Sequence, residues 1–206
     1  MGAEARLKEL GLVLPVLAKP AANYLPYRLA GNLLFLAGQG PRDEKGASLT
    51  GKLGAEISIE EGYRRARLVG LGLLAAMRDA LGSLDRVDFI VKLLGMVNAV
   101  PNFNDSPKVI NGCSDLFVEV FGEAGRHARS AVGNAMLPNQ ISVEIEGSRI
   151  PQPSADRATA RSVAAPWSRA REPCRRSIAR RISDQFSTAE VTCAPSSALT
   201  AGAPPG

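Results

Sequence analysis

The amino-acid sequence predicts one α/β domain of the α+β kind over residues 1–147, a mixed β-sheet with two helices on one face, followed by a tail over residues 148–206. Three observations predict it. Short alternating apolar segments flank two longer ones with apolar residues at helical spacing, so the order reads strands, helix, strand, helix, strands. Each helical segment offers a single apolar stripe, and a sheet covered on one side accommodates both. Beyond residue 148 there is no Lys, and Ala, Ser, Pro and Arg dominate.

The elements follow in order. Residues 3–11 are expected to form a short opening helix, and residues 24–37 read as two strands turned at Gly31-Asn32, a pair suited to positive φ. Ser58 with Glu61 makes a capping box; Ala66, Val69, Gly70, Leu73, Met77 and Leu81 then recur on one helical face until Gly82 offers a left-handed cap. Gly70 and Gly72 each cost ~1 kcal/mol of helix propensity relative to Ala, which predicts close backbone packing against the sheet. Residues 86–100 alternate, placing Val87, Phe89, Val91, Leu93, Val97 and Ala99 on one face of a long strand. A second helix is expected to start at Ser106-Pro107, bury Val109, Cys113, Leu116, Phe117 and Val120, and end at Gly122. Residues 129–136 and 141–146 read as two final strands paired with each other through 137–140. Because Leu33 to Leu36, Phe89 to Val91, and Leu93-Leu94 put apolar side chains on both sides of the sheet, its second face expects a partner, and an oligomer is predicted.

The formal charge of +5 belongs to the tail. From Arg149 onward there are nine arginines and four acids, leaving 16 bases against 16 acids in the remainder. The basic balance therefore says nothing about the ligand of the folding part, and nucleic acid is not an expected partner. The tail has no sustained periodicity and too little apolar content to offset its ordering entropy, so disorder is expected. Its Lys-free, Arg- and Pro-rich composition, starting abruptly inside a strand pattern, also resembles out-of-frame translation of a GC-rich gene. An arginine-rich arm for RNA or acidic membranes ranks lower, since Trp167 is the only aromatic among most of its arginines. No apolar run approaches the ~20 residues that span a bilayer, and residues 1–10 lack the cationic-then-apolar order of a signal peptide. A cytoplasmic protein without membrane attachment is expected. Cys113, Cys174 and Cys193 are too scattered for a disulfide framework or metal knuckle, so reduced thiols and no metal are expected, with Cys113 a core residue.

Chemistry concentrates in residues 125–146, GRHARSAVGNAMLPNQISVEIE. Arg129 opens one strand, and Glu144 and Glu146 interrupt the apolar pattern of the next, where carboxylates are costly unless solvated or partnered. These residues alone allow two readings. One is an interstrand ion pair; the other is an anion clamp with a water-orienting acid, because arginine grips carboxylates in bidentate fashion and a carboxylate can hold or deprotonate water.

Several separated blocks in order, AANY, GNLLFLAGQGP, NFNDSPKVINGCSDLF, RHARSAVGNAMLP and VEIE, resemble the YjgF/RidA family across residues 5–147. The resemblance is to its branch labelled YjgF-like endoribonuclease L-PSP or chorismate-mutase-like. It implies a chorismate-mutase-like (bacillus-type) fold, a homotrimer with pockets at the subunit clefts, and cofactor-free hydrolysis of 2-imino or enamine acids, such as 2-aminoacrylate, to 2-keto acids and ammonia. Carried over by position, Arg129 would bind the substrate carboxylate and Glu144 would position the attacking water. Tyr24 matches the pocket tyrosine, Gly38 the glycine whose backbone faces the ligand, and Asn111 an asparagine at the cleft. Two positions depart from the common pattern: Ala37 replaces a frequent Ser, and Ala131 a frequent Cys whose backbone carbonyl would still hold water.

Two rival functions remain. RNA cleavage commonly uses general acid and base groups near neutrality, and His127, the only histidine, is expected to face solvent before its strand, at most at the rim of a site. A non-catalytic small-molecule-binding trimer would use the same cleft. Chorismate mutase chemistry needs several cations around a dianion, so that likeness is one of fold.

Overall fold

The computed structural model describes residues 1–17 and 22–151; the expectations for the tail beyond Pro151 lie outside the described residues. In chain order the elements are α1 (Ala3–Glu9), β1 (Tyr27–Ala30), β2 (Leu33–Gln39), α2 (Ile59–Leu81), β3 (Val87–Asn98), α3 (Ser106–Phe121), β4 (Ala128–Asn134) and β5 (Val143–Pro151). Helix α2 begins as its sequence dictates. The Ser58 hydroxyl accepts the Glu61 N–H at 3.2 Å, and Gly82 closes the helix at φ 80° with its N–H on the Arg78 carbonyl. Only half of the capping box forms, because the Glu61 carboxylate turns outward to Arg64 and Arg65. Helix α3 is capped at Asp105, one residue before the expected cap, and Ser106 is buried inside its first turn.

The five strands form one mixed sheet in the order β1-β2-β5-β3-β4. Strand β4 runs parallel to β3, α3 being the crossover between them, while β5 lies antiparallel to both β3 and β2. The expected pairing of the last two strands is therefore wrong. Having returned through α3, the chain places β4 at the sheet edge, and residues 135–142 then carry it across the end of β3. Buried Asn98 anchors that crossing: its N–H bonds the Ser142 carbonyl at 3.0 Å and its side-chain amide the Ile141 carbonyl at 3.2 Å. Asn139 and Gln140, at φ 53° and 55°, make the turn.

Strand β3 also departs from strict alternation. Val87, Leu93, Val97 and Ala99 are buried as expected, but Ile90 is 2% exposed and Phe89 40%. The register against β5 slips between Val87 and Phe89 and again between Ile90 and Lys92. Each bulge inserts one residue and exchanges the faces that follow, which turns Phe89 away from the helices.

Helices α2 and α3 cover one face, α2 over β2 and β5, α3 over β3 and β4. Their close approach is made by glycine, although not wholly as predicted. Gly72 does face the sheet, where a Cβ would strike the Gln39 side chain, whereas Gly70 faces α3 at Cys113 and Leu116. Opposite, Gly112 of α3 lies against the Tyr63 carbonyl of α2, with no room for a Cβ. Leu73, Leu74, Leu93, Ile110, Leu116, Phe117 and Ile145 are fully buried between the layers. Phe35, Phe89 and Val132 emerge on the other face at 46%, 40% and 44% exposure, so that face is substantially apolar in the single chain.

One core position is anomalous. Arg149 of β5 is fully buried beneath α2; its Nη2 donates to the Met77 carbonyl at 3.5 Å, and among the described residues Nε and Nη1 have no partner. Burial, then the nearby charge of Arg86, brings its pKa down to about 10.

Candidate functional site

Arg129 lies opposite Leu93 in the β3–β4 register and Glu144 opposite Met96 in the β3–β5 register. Leu93 and Gly95 face the helices, a Cβ at Gly95 colliding with Ile110 of α3. Arg129 therefore rises toward α3. Ile145, paired with Gly95, shares that face and is fully buried, so Glu144 and Glu146 on either side of it point to the helix-free face. Two strand spacings and three residue rises separate the Cα atoms of Arg129 and Glu144 by ~14 Å. The interstrand ion pair is thereby excluded. The predicted pair occupies opposite surfaces of one chain.

On the α3 side, Arg129 is half-buried and closely oriented. Its Nη1 donates to Asn111 Oδ1 at 2.8 Å and to Ser114 Oγ at 3.0 Å. Among the described residues no carboxylate stands within salt-bridge reach of it. A guanidinium held by two neutral acceptors keeps its remaining donors for an anion. Ala131, two residues on, shares this face, paired with Gly95.

Behind the arginine is a chain of contacts that the sequence did not reveal. His127 is half-buried against the ring of Phe117 rather than facing solvent. Its Nδ1 lies 2.7 Å from the Gly125 carbonyl, which can only accept, so that nitrogen carries the proton. Burial first, then the charge of Arg129, holds the imidazole below its ordinary pKa and therefore neutral. Nε2 is left as an acceptor, and Ser114 donates its hydroxyl proton to it at 3.1 Å. Ser114 follows Asn111 by one helical turn, and that i, i+3 spacing is the sequence signal that could have found it. Cys113 between them is fully buried, its thiol pushed up in pKa by burial, as a core residue requires.

The helix-free face carries the second group. Gly38, beside the register shift of β2 against β5, lies so close to Glu144 that a Cβ there would collide with Oε1. Burial and then the charge of Glu146 raise the Glu144 pKa. A carboxyl so disposed takes up a proton more readily than an exposed one, which suits general-base work. Tyr24 is 52% exposed in the segment leading to β1. Two residues on, the Pro26 carbonyl accepts the Ala37 N–H at 3.0 Å, bringing that segment beside Gly38. Gly38 and Glu144 thus form one neighbourhood, which the segment after Tyr24 approaches at Pro26, and Asn111 and Arg129 form another, with Ala131 on the same face. Among the described residues no group of three or more His, Cys, Asp or Glu gathers as a metal site, and no helix is long and apolar enough to cross a membrane.

A five-stranded mixed sheet with both long helices on one face defines a small chorismate-mutase-like α+β protein. Comparison with known proteins agrees and narrows the class. The chain belongs to the family described as "YjgF/chorismate mutase-like, putative endoribonuclease", which matches residues 4–145. It is 46% identical over 143 residues to Protein TCP17 of Trypanosoma cruzi, covering 69% of this chain and 89% of that one. Among solved structures, Atu1372 of Agrobacterium tumefaciens, of unknown function, is 42% identical with a TM-score of 0.67, covering 73% of this chain and 93% of that one. A "putative endoribonuclease" of Shewanella oneidensis MR-1 is 35% identical with a TM-score of 0.70, covering 73% and 99%.

Proposed function

We propose that the protein is a RidA-type hydrolytic deaminase that converts reactive 2-imino and enamine acids to 2-keto acids and ammonia, in pockets that two copies of the chain complete. The observation that carries this reading is the split between an oriented arginine on one surface, with no carboxylate partner among the described residues, and a half-buried acid of raised pKa on the other. One chain cannot bring them together. A neighbouring copy can, by laying its helix-free face beside the α3–β4 edge, and it would cover the apolar face around Phe35 and Val132 in doing so. Such a contact joins two different surfaces, so it is heterologous, and it makes a ring when its rotation closes. The trimer implied by the family resemblance is the smallest such ring.

In this pocket Arg129 grips the substrate carboxylate, aided by Asn111, which fixes the guanidinium. Glu144 of the neighbouring copy holds water against the C=N carbon and takes its proton as the C–O bond forms. The proton then passes to nitrogen to give a carbinolamine; Glu144 next takes the proton of its new hydroxyl and delivers it to nitrogen, so that the C–N bond breaks as the carbonyl forms and ammonia leaves. Gly38 gives the acid room, and Tyr24 and the Ala131 backbone line the hollow. Positioning and charge complementarity supply the acceleration, and no cofactor is required. The substrate is a small, carboxylate-bearing imine, and the reaction suits the cytoplasm, where amino-acid dehydratases release such species.

The test is ammonia release from enzymatically generated 2-imino acids, with Arg129→Ala and Glu144→Ala alongside. Wild type should exceed the spontaneous rate and both variants should approach it; equal rates for wild type and Arg129→Ala would end the proposal. RNA cleavage is the competing reading because it is in the family's description. Against it, the single His127 has both ring nitrogens engaged by Gly125 and Ser114. Cleavage of single-stranded RNA by wild type but not by His127→Gln would promote it.

A further inference from the structure

We infer that Ser114 and His127 are positioning residues, a hydrogen-bonded relay that aims Arg129 and makes its grip on a carboxylate depend on whether His127 carries a proton. This rests on the reading of Arg129 as the carboxylate clamp. The relay runs from the Gly125 carbonyl through Nδ1–H and Nε2 of His127 to the Ser114 hydroxyl, and from its oxygen to Nη1 of Arg129. Each link orders the next. Gly125 places the imidazole proton on Nδ1, bare Nε2 takes the serine proton, and the serine oxygen is then directed as an acceptor toward the guanidinium. Together with Asn111 it occupies Nη1 from the α3 side and leaves Nη2 and Nε to the ligand.

Protonation of His127 reverses the middle of this chain. Nε2–H would then donate to Ser114, whose own proton must leave the imidazole, and a second positive charge would stand behind Arg129. Charged groups near the imidazole are few. From β4 it faces the charge of Arg129 and from α3 it meets Ser114 and Phe117, while Glu123 and Arg126 of the preceding turn pair with each other. Asp115 is engaged with the Tyr63 hydroxyl. The two consequences separate cleanly. Above the His127 transition the relay sets the direction of Arg129; below it, added charge strengthens anion binding at the expense of that direction. A bound carboxylate must in turn raise the pKa of His127 by the same factor.

The experiment is calorimetric titration of the full chain with 2-oxobutyrate, the keto-acid product type, in a Glu144→Gln background so that the acid of the other half-site does not titrate. At neutral pH, Ser114→Ala and His127→Gln should each bind about ten-fold more weakly, the scale of one lost bond to a charged group. Ser114→Thr, which keeps the hydroxyl, should recover most of the affinity. Between about pH 8 and pH 5 the chain with His127 should bind more tightly as pH falls, and His127→Gln should show a flat profile. In the catalytic assay with Glu144 intact, Ser114→Ala should raise KM more than it lowers kcat. The relay is overturned if Ser114→Ala binds like its parent, or if the pH dependence survives in His127→Gln. If Arg129→Ala itself binds 2-oxobutyrate undiminished, the clamp reading has failed, an outcome distinct from failure of the relay alone.

Discussion

Mixing two inactive variants of this protein should restore activity. Arg129→Ala removes the carboxylate grip and Glu144→Ala the water-holding acid; a loss on the order of 2–5 kcal/mol for either group means that each variant should retain at most about one thirtieth of the wild-type kcat/KM. Their side chains leave opposite faces of one sheet with Cα atoms ~14 Å apart, so the proposed pocket draws its arginine from one copy and its glutamate from the next. In a three-membered head-to-tail ring that contains both variants, about one of the three pockets joins an intact arginine to an intact glutamate. The purified mixed rings should therefore show about one third of wild-type activity, roughly ten-fold above either parent. The assay is co-expression of differently tagged variants, tandem affinity purification to isolate mixed rings, and ammonia release from a generated 2-imino acid. A mixed ring no more active than its parents would refute the shared pocket.

Other substitutions follow from the same geometry. Gly38→Ala should displace the Glu144 carboxylate, lowering kcat about ten- to hundred-fold with little change in the thermal midpoint; unchanged kcat would remove Gly38 from the site. Replacing buried Arg149 by Leu should stabilise the fold by about 2 kcal/mol or more, read as a higher denaturant midpoint at constant slope, since the bond to the Met77 carbonyl, its one partner among the described residues, cannot offset desolvation of the charge. The lowered pKa of His127 means that the folded chain favours the neutral imidazole: its contribution is intact above the unfolded value of 6.5 and is lost as pH falls through the lower folded value. Unfolding free energy should accordingly decline on acidification from pH 6.5, and His127→Gln should flatten that decline.

Much of the architecture was legible along the chain. The Ser58 cap, the Gly82 and Gly122 terminations and the buried stripes of α2 and α3 stand where local chemistry put them, because capping and helical periodicity involve neighbours within a turn or two. The long strand was legible as a strand but not in its facing. Its two bulges against β5 depend on a partner more than fifty residues away, and each exchanges the inward and outward sides. Gly70 shows the same limit at smaller scale: a glycine in a helix announces close approach without saying that the neighbour is α3 rather than the sheet.

The candidate site divides along the same line. Residue identities and spacings determined that an arginine, an asparagine and a strand-borne acid were available, and the blocks around them carried the family resemblance. Tertiary structure alone decided their relation, because β3 inserts between β4 and β5 and the parity of the register then fixes which face each side chain takes. Sequence adjacency had suggested that Arg129 and Glu144 share a strand pair; pairing energies across the whole sheet, together with the α3 crossover, put them on opposite surfaces. The His127–Ser114 relay likewise exists only because α3 docks over β4, a packing choice that no local pattern encodes.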